Sequence, residues 1–264
     1  MNLLVKGRQQ GREIVRVTPE SAGWHYVGFA AYRLARNEHL DFDSGSREMC
    51  IVILRGVVSV RAGDAHWAEI GERQSVFDDA SPYSVYVPHG QKVNITAHGD
   101  VEVAVCSAPG HGDVAARLIE PANAKRSVRG QGSNTRYVCD ILPQSAPADH
   151  LLVVEVITPG GHSSSYPPHK HDTDDIPTES ALEETYYHRI NPSQGFAFQR
   201  VYTDDRSLDE SMAVENHDVV MVPKGYHPVV APHGYDCYYL NVMAGSKRTW
   251  HFKNDPAHDW LMPR

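Results

Sequence analysis

The most informative stretch of this 264-residue chain runs from Ser164 to Tyr187. It contains Pro167-Pro168-His169-Lys170-His171-Asp172 and, after a polar loop, Leu182-Glu183-Glu184-Thr185-Tyr186-Tyr187. His169 and His171 would lie on one face of an extended strand, because successive side chains of a strand alternate sides. A third histidine follows downstream in Val222-Pro223-Lys224-Gly225-Tyr226-His227.

Imidazoles and a carboxylate that come from β-strands can hold a divalent transition metal and leave positions open for a substrate. We therefore predict a metal site formed by His169, His171, Glu183 and His227. The chain has 16 histidines, and a single histidine is usually a surface or hydrogen-bonded group. The prediction depends on the three motifs together.

An internal repeat supports the choice of Glu183 over its neighbour. In the first copy, Glu48 opens the run Glu48-Met49-Cys50-Ile51-Val52-Ile53-Leu54-Arg55-Gly56, and Val87-Pro88-His89-Gly90 follows forty residues later. In the second copy, Glu183 opens the equivalent run, and Val222-Pro223-Lys224-Gly225 follows forty residues later. The opening glutamates and the prolines of the two copies are each offset by 135 residues (183 − 48 and 223 − 88), which indicates two copies of one β-unit. Because Glu48 aligns with Glu183, we expect Glu183 to point inward with Thr185 and Tyr187, and Glu184 to point outward.

Only the second copy carries the full set of candidate ligands. Upstream of Glu48 there is no His-x-His pair, and Lys92 stands where the second copy has His227. We expect the first copy to hold no metal and to act as a structural partner or an oligomerisation surface.

Short apolar runs bounded by Gly, Pro, Asn and Asp predict strands along almost the whole chain. The predicted strands are Tyr26–Ala35, Met49–Arg55, Val57–Ala62, Ser84–Val87, Lys92–Ala97, Val101–Ser107, Tyr137–Leu142, Leu151–Thr158, Glu184–Ile190, Phe196–Tyr202, Val219–Val222, His227–Ala231 and Tyr235–Ala244. The turn Arg55-Gly56 between two apolar runs predicts a hairpin. Many short strands with regular turns are typical of an all-β sandwich or barrel.

Composition restricts the function classes. Lys and Arg total 25 and Asp and Glu total 33, a formal charge of −8, and no basic stripe is present, which argues against nucleic acid or an anionic membrane as partner. Four scattered cysteines without a Cys-x-x-Cys pair fit a reducing compartment. The chain shows no signal-peptide pattern and no run of about eighteen apolar residues, so we expect a cytoplasmic protein.

The two repeats with His-x-His, Glu and Pro-x-Gly-x-His motifs resemble the cupins. This resemblance implies an all-β bicupin, with two tandem jelly-roll barrels in one chain and metal ligands inside a barrel. We expect residues 1–122 to form an N-terminal barrel without metal ligands and residues 123–264 to form a C-terminal barrel with the metal site.

A closer resemblance is to the 5-deoxy-glucuronate isomerase family of bacterial myo-inositol catabolism, and it covers nearly the whole chain. It rests on Ser164-Ser165-Tyr166-Pro167-Pro168-His169-Lys170-His171-Asp172, Leu182–Arg189, Val222–Pro228, Tyr238–Gly245 and Val128-Arg129-Gly130-Gln131-Gly132. The resemblance implies conversion of 5-deoxy-D-glucuronate to 5-dehydro-2-deoxy-D-gluconate with a divalent metal ion. Zinc, iron, manganese, cobalt and nickel all suit such ligands.

Other side chains are candidates for contacts with a sugar acid. Tyr187, on the face expected for Glu183, is a candidate acid or hydroxyl donor, or else a core tyrosine. Arg200 is the first candidate for the substrate carboxylate, because guanidinium binds carboxylates bidentately; Arg129 and Arg189 are the next. Tyr239 and Asn241 share one face of the last long strand and either line the cavity or pack it.

Alternative functions stay open at the level of sequence. They are another bicupin acting on a uronate-type sugar acid, an iron-dependent cupin dioxygenase, and a non-catalytic sugar-binding cupin. We also expect a homo-oligomer, because a two-barrel β protein has exposed sheet edges.

Overall fold

The structure is a computed structural model that describes residues 2–262, and β-strands dominate it. The strands of the first half, in chain order, are Leu4–Val5 (β1), Glu13–Val17 (β2), Gly28–Leu34 (β3), His39–Asp43 (β4), Arg47–Arg55 (β5), Val58–Ala62 (β6), Ala65–Ile70 (β7), Ser84–Val87 (β8), Lys92–Ala97 (β9), Val101–Pro109 (β10) and Arg117–Ile119 (β11). Those of the second half are Lys125–Arg129 (β12), Arg136–Leu142 (β13), Leu152–Thr158 (β14), Ser163–Ser164 (β15), His169–Lys170 (β16), Glu183–Asn191 (β17), Phe196–Tyr202 (β18), Asp209–Glu215 (β19), Val219–Val222 (β20), Val229–Val230 (β21), Asp236–Ala244 (β22) and Lys253–Asn254 (β23).

Helices are short in the described part of the chain. One α-helical turn spans Pro19–Ala22 (α1), and 3-10 turns span Pro121–Asn123, Gly132–Asn134 and Pro256–Leu261. Thr18 caps α1, because its side chain accepts a hydrogen bond from the Ser21 backbone while the Ser21 hydroxyl accepts one from the Thr18 backbone. No helix among residues 2–262 has the length and apolar character that crossing a membrane requires.

The chain forms two compact units. The N-terminal unit comprises Arg8–Arg126 and Cys139–Val154, and the C-terminal unit comprises Met1–Gly7, Ser127–Val138 and Glu155–Arg264. Each unit contains most of one of the two expected domains, and the expected boundary between residues 122 and 123 stays a prediction.

Each unit is built from antiparallel strands. In the N-terminal unit, a six-stranded sheet has the order β11-β8-β5-β10-β3-β2 and a four-stranded sheet has the order β4-β9-β6-β7. The remaining strands form a seven-stranded sheet β1-β20-β17-β22-β14-β13-β12, a four-stranded sheet β15-β21-β18-β19 and the pair β16-β23.

The structure confirms the 135-residue repeat as a repeat of strand pairing. Strand β5 pairs with β8 so that Met49 lies opposite Val87, and β17 pairs with β20 so that Glu184 lies opposite Val222. Both partners are offset by 135 residues (184 − 49 and 222 − 87). The backbone of the two copies therefore matches in register.

Aliphatic side chains fill the N-terminal unit. Its buried core includes Met49, Ile51 and Ile53 from β5, which alternate along one face of the strand, together with Val85 and Val87 from β8. Glu48 lies on the opposite face and is also buried. Its carboxylate accepts hydrogen bonds from the Tyr86 hydroxyl (2.7 Å) and from the backbone amides of residues 149 to 151 (2.6–2.7 Å).

The hairpin predicted at Arg55-Gly56 is wrong. Strand β5 pairs with β8 and β10, whereas β6 pairs with β7 and β9. Gly56 has φ +83°, and at this position the chain passes from one sheet to the other. A short turn between two apolar runs does not distinguish a hairpin from such a crossing.

The sequence also missed strands that are exposed on at least one face. Examples are β4 and β19, whose residues are mostly exposed or half-buried, and the edge strands β2 and β7. Polar residues on these strands weaken the hydrophobic signal on which the prediction depends.

The four cysteines, Cys50, Cys106, Cys139 and Cys237, are buried free thiols.

Candidate metal centre

The two histidines of the His-x-His motif lie on β16 and immediately after it. His169 pairs with Asn254 of β23, and both imidazoles are buried. Lys170 between them points the other way, where its ammonium contacts Asp172 (2.7 Å) and Glu179 (3.4 Å). The alternation of an extended strand therefore directs both imidazoles to the same side.

His227 reaches the same place from the loop after β20. Tyr226 fixes this loop, since its backbone N–H donates to the Tyr202 carbonyl at 2.8 Å. The ring of His227 lies 5.0 Å from that of His169 and 4.9 Å from that of His171. One ring nitrogen from each of the three histidines lies within 4.8 Å of the others.

Glu184 is the carboxylate that faces these imidazoles. Its Oε2 atom lies 3.1 Å from His171 Nε2 and 3.2 Å from His227 Nε2, and its residue exposure is 1%. The Asn241 amide donates to Glu184 Oε1 at 2.6 Å. Both carboxylate oxygens are therefore oriented by partners inside the C-terminal unit.

The expectation that Glu183 points inward and Glu184 outward is wrong, because the two side chains point in the opposite directions. Glu183 is half-buried on the opposite face of β17. The alignment of Glu183 with Glu48 is correct, but Glu48 itself faces away from the core of its own unit. The repeat therefore identifies two glutamates on the outer face, and the inner position is held by Met49 in one copy and Glu184 in the other.

The hydrogen bonds of the imidazoles prepare them as metal ligands. His227 Nδ1 bonds the Gly225 carbonyl (2.8 Å) and His171 Nδ1 bonds the Leu182 carbonyl (3.2 Å), so both Nε2 atoms face inward. Within residues 2–262, His227 Nε2 is buried and makes no hydrogen bond. In a neutral ring whose Nδ1–H donates to Gly225, Nε2 carries no hydrogen that it could donate to Glu184 Oε2, 3.2 Å away. A buried ring nitrogen without a partner beside a carboxylate fits a cation at this point.

Electrostatics favour neutral rings at two of the three positions. Burial lowers the pKa of His169 well below its usual value, and burial lowers the pKa of His227 to about 4 although Glu184 opposes this shift. Burial also disfavours the charged form of His171, but the hydrogen bond and charge of Glu184 outweigh it and raise its pKa. Neutral imidazoles beside a carboxylate are the ligand state that a metal requires.

The structure places Tyr187 and Arg200 away from this cluster. Tyr187 is fully buried on the outer face of β17, and its hydroxyl bonds His217 Nδ1 at 2.7 Å. Arg200, whose side chain is 45% exposed, forms two 2.7 Å hydrogen bonds with Asp209 on the neighbouring strand β19. Tyr187 is thus a buried core tyrosine, the alternative that the sequence left open, and the Arg200 guanidinium is occupied by Asp209. The face of β17 was assigned wrongly, and an ion pair across strands is not visible in sequence. Arg189, a further candidate, bonds Asn216 (3.0 Å).

Tyr239 does lie beside the cluster, together with a tyrosine that the sequence analysis missed. The ring of Tyr239 is 4.8 Å from that of Tyr186, which in turn lies 5.7 Å from His227. The Tyr186 hydroxyl forms a hydrogen bond of 3.0 Å with the Ser165 hydroxyl. Tyr186 shares the face of Glu184, so the correct strand face would have identified it.

Aromatic and cationic side chains surround His169. The ring of Phe252 lies 4.6 Å from that of His169 and 6.1 Å from that of Trp250. The guanidinium of Arg129 lies 5.6 Å from the centre of the Trp250 ring. Phe252 is 46% exposed, so its ring lies between solvent and the buried imidazole of His169.

The sequence model of the KduI/IolB family matches residues 3–261. The chain belongs to this family. A relative from Geobacillus kaustophilus (strain HTA426), named 5-deoxy-glucuronate isomerase, is 59% identical over 249 residues, which cover 94% of this chain and 90% of the relative.

Solved structures agree with the family assignment. The crystal structure of an IolB-like protein from Salmonella typhimurium LT2 superposes with a TM-score of 0.97 at 52% identity and covers 99% of both chains. An oxalate decarboxylase from Lactobacillus farciminis has a TM-score of 0.69 at 12% identity, over 100% of this chain and 91% of its own. At that identity only the fold is shared, and the all-β bicupin fold expected from the sequence is confirmed.

Proposed function

We propose that this KduI/IolB protein is a metal-dependent aldose–ketose isomerase that converts 5-deoxy-D-glucuronate to 5-dehydro-2-deoxy-D-gluconate. The observation that carries the proposal is the buried group of His169, His171, His227 and Glu184, in a chain 59% identical to a relative named for this activity. These four side chains would hold a divalent cation. The residues alone suit zinc, iron, manganese, cobalt or nickel.

The chemistry explains why such a site suits the reaction. Moving hydrogen between C1 and C2 of the open-chain sugar develops negative charge on the carbonyl and hydroxyl oxygens. A bound divalent ion supplies a Lewis acid that stabilises this charge. The chain's own contribution is a fixed carboxylate, Glu184, which Asn241 holds by a 2.6 Å hydrogen bond, so that the ligand set needs little reorganisation.

Buried phenols beside the histidines supply hydroxyl groups to the substrate. Burial raises the pKa of Tyr186 well above its usual value and raises the pKa of Tyr239 to about 12. Both phenols therefore stay protonated at neutral pH and donate hydrogen bonds to substrate oxygens. The same two groups suit an enediol route and a hydride shift, because both routes end with a proton exchanged between the O1 and O2 atoms.

The test is metal analysis of the purified protein together with turnover of 5-deoxy-D-glucuronate. We expect close to one divalent ion per chain and ketose formation without oxygen consumption. Oxygen consumption would instead support a dioxygenase, and tight sugar binding without turnover would support a binding protein. Either result would overturn the isomerase proposal.

The homo-oligomeric state and the cytoplasmic location expected from the sequence stay predictions. Light scattering coupled to size-exclusion chromatography would measure the number of chains per particle.

A further inference from the structure

A cationic side chain without an acidic partner lies near the candidate metal centre. Arg136, at the start of β13, is half-buried. Its hydrogen bonds join Nη1 to the carbonyl oxygens of Asn134 (3.0 Å) and Tyr166 (3.5 Å). Among residues 2–262, no Asp or Glu forms an ion pair with Arg136, and its Nε and Nη2 atoms make no hydrogen bond. One edge of the guanidinium is therefore held and the other can accept a ligand.

The surrounding backbone fixes this guanidinium in place. Asn134 Nδ2 donates to the same Tyr166 carbonyl at 2.7 Å, which ties Arg136 to the segment that leads into His169. Gly130, with φ +78°, leaves room for the contact, since a Cβ atom there would lie 2.6 Å from Arg136 Nη1 and 2.0 Å from the Asn134 carbonyl oxygen. The close approach depends on a glycine at position 130.

Electrostatics set Arg136 apart from the ion-paired arginines of the chain. Burial lowers the pKa of Arg136, and the nearby positive charge of Arg129 lowers it further. By contrast, Arg200 contacts Asp209 and Arg16 contacts Glu13 at 2.7 Å. The positive charge of Arg129 near Arg136, which itself has no carboxylate partner among residues 2–262, favours an anion at this point.

Arg136 interacts electrostatically with side chains that lie near the histidine cluster. Its positive charge acts on the phenols of Tyr186 and Tyr239, and Tyr186 lies 5.7 Å from the His227 ring. On the other side, Arg129 borders Trp250 at 5.6 Å. The guanidinium therefore lies within electrostatic range of Tyr186, Tyr239 and Arg129.

We propose that Arg136, with Arg129 beside it, binds the substrate carboxylate through its Nε–Nη2 edge and so positions the aldehyde end of the sugar acid at the histidines. This inference rests on the proposed isomerase function. A planar guanidinium whose free edge carries two parallel N–H groups matches a carboxylate bidentately, which a lysine does not. The site thus selects a uronate over the corresponding neutral sugar.

The experiment compares two substrates in two variants. The substrates are 5-deoxy-D-glucuronate and 5-deoxy-glucose, in which a primary alcohol replaces the carboxylate. Arg136→Gln should lower kcat/KM for the uronate about 100-fold, the size expected for a charge-assisted bidentate contact, and should change that for the neutral sugar by less than about threefold. Arg16→Gln, the matched control at an exposed ion pair with Glu13, should leave both values unchanged.

A second variant of Arg136 separates charge from geometry. Arg136→Lys keeps the charge but loses the planar edge, and it should recover only part of the loss with the uronate. Metal content and the near-ultraviolet circular dichroism spectrum of both Arg136 variants should match those of the unchanged protein. An equal loss with the charged and the neutral substrate would overturn the inference, because it would show a structural role.

Failure of the proposed function would look different. In that case the unchanged protein would turn over neither sugar. Isothermal titration with 5-deoxy-D-glucuronate would then still decide the inference. Weaker binding by Arg136→Gln supports it, and equal affinity or no binding by the unchanged protein overturns it.

Discussion

Glu184 and Met49 occupy the same position in the two copies of the β-unit. Glu184 pairs with Val222 and Met49 pairs with Val87. The Met49 side chain is part of an aliphatic core, whereas the Glu184 carboxylate lies 3.1 Å from His171 Nε2. The same backbone position therefore serves packing in one unit and the candidate metal centre in the other.

Two adjacent glutamates provide the sharpest test of the ligand assignment. Glu184→Gln removes the negative charge beside the imidazoles, so we expect loss of metal and a fall in kcat of roughly 100-fold or more. Glu183→Gln, on the opposite face of β17, should retain metal and activity. Both are measured by metal analysis and turnover of 5-deoxy-D-glucuronate. Full metal content in Glu184→Gln would remove Glu184 from the ligand set.

Asn241 should control how tightly the metal binds. Its amide holds Glu184 Oε1 at 2.6 Å, and loss of such a supporting hydrogen bond typically weakens metal binding about 10- to 100-fold. We expect this loss in Asn241→Ala, measured by competition with a chelator. Asn94→Ala removes an exposed contact with Asp41 in the N-terminal unit and should leave metal affinity unchanged. Equal affinity in the two variants would contradict the supporting role.

The sequence predicted the fold and the meeting of the three histidines because both depend on local pattern. The bounds of β8, β9, β18 and β20 match the predicted strands. Which side chains of β17 point inward depends instead on how this strand pairs with β20 and β22. Two consecutive glutamates in the sequence do not reveal which of them faces the interior. The partners of Arg200 and Arg136 depend in the same way on which strands and loops meet.

Arg136 shows why a candidate binding residue escaped the sequence analysis. It lies at the end of a polar, Gly-containing segment that interrupts the strand pattern, and nothing local distinguishes it from a solvated arginine. Its interest comes from the absence of an acidic partner among the described residues and from its contact with the Tyr166 carbonyl at 3.5 Å. Such properties appear only after the chain has folded.

His188 should make the metal-free protein sensitive to acid. This residue is fully buried between Gln199 (2.9 Å) and Cys237 (3.6 Å), and burial lowers its pKa to about 4. The unfolded chain binds a proton at His188 below about pH 6.5. The folded chain does not do so until about pH 4. The free energy of unfolding therefore decreases as the pH falls through this window, by at most about 1.4 kcal/mol per pH unit for this one group.

The measurement is urea unfolding of the metal-free protein between pH 4 and 6.5. His188→Gln should show a shallower dependence of the unfolding free energy on pH than the unchanged protein. His66→Gln, at an exposed position of β7, should show the same dependence as the unchanged protein. An unaltered slope in His188→Gln would mean that this imidazole does not remain neutral in the folded chain.

Equivalent glycines of the two repeats, Gly225 and Gly90, should respond differently to alanine. Both have positive φ, +91° and +74°, so an alanine at either position costs about 1 kcal/mol from backbone strain alone. At Gly225 a Cβ atom would also lie 2.4 Å from the Tyr202 carbonyl oxygen, whereas at Gly90 it would meet nothing within 4 Å. The Gly225 carbonyl accepts the hydrogen bond that orients His227 (2.8 Å).

We therefore expect Gly225→Ala to displace His227 and to lose metal as well as stability. Gly90→Ala should lose stability alone, by the modest amount that strain predicts. Metal analysis and thermal unfolding of both variants check this, since strain is common to the pair and only Gly225 is linked to His227. Equal metal content in the two variants would show that the loop tolerates the methyl group and that the carbonyl of residue 225 does not fix the imidazole.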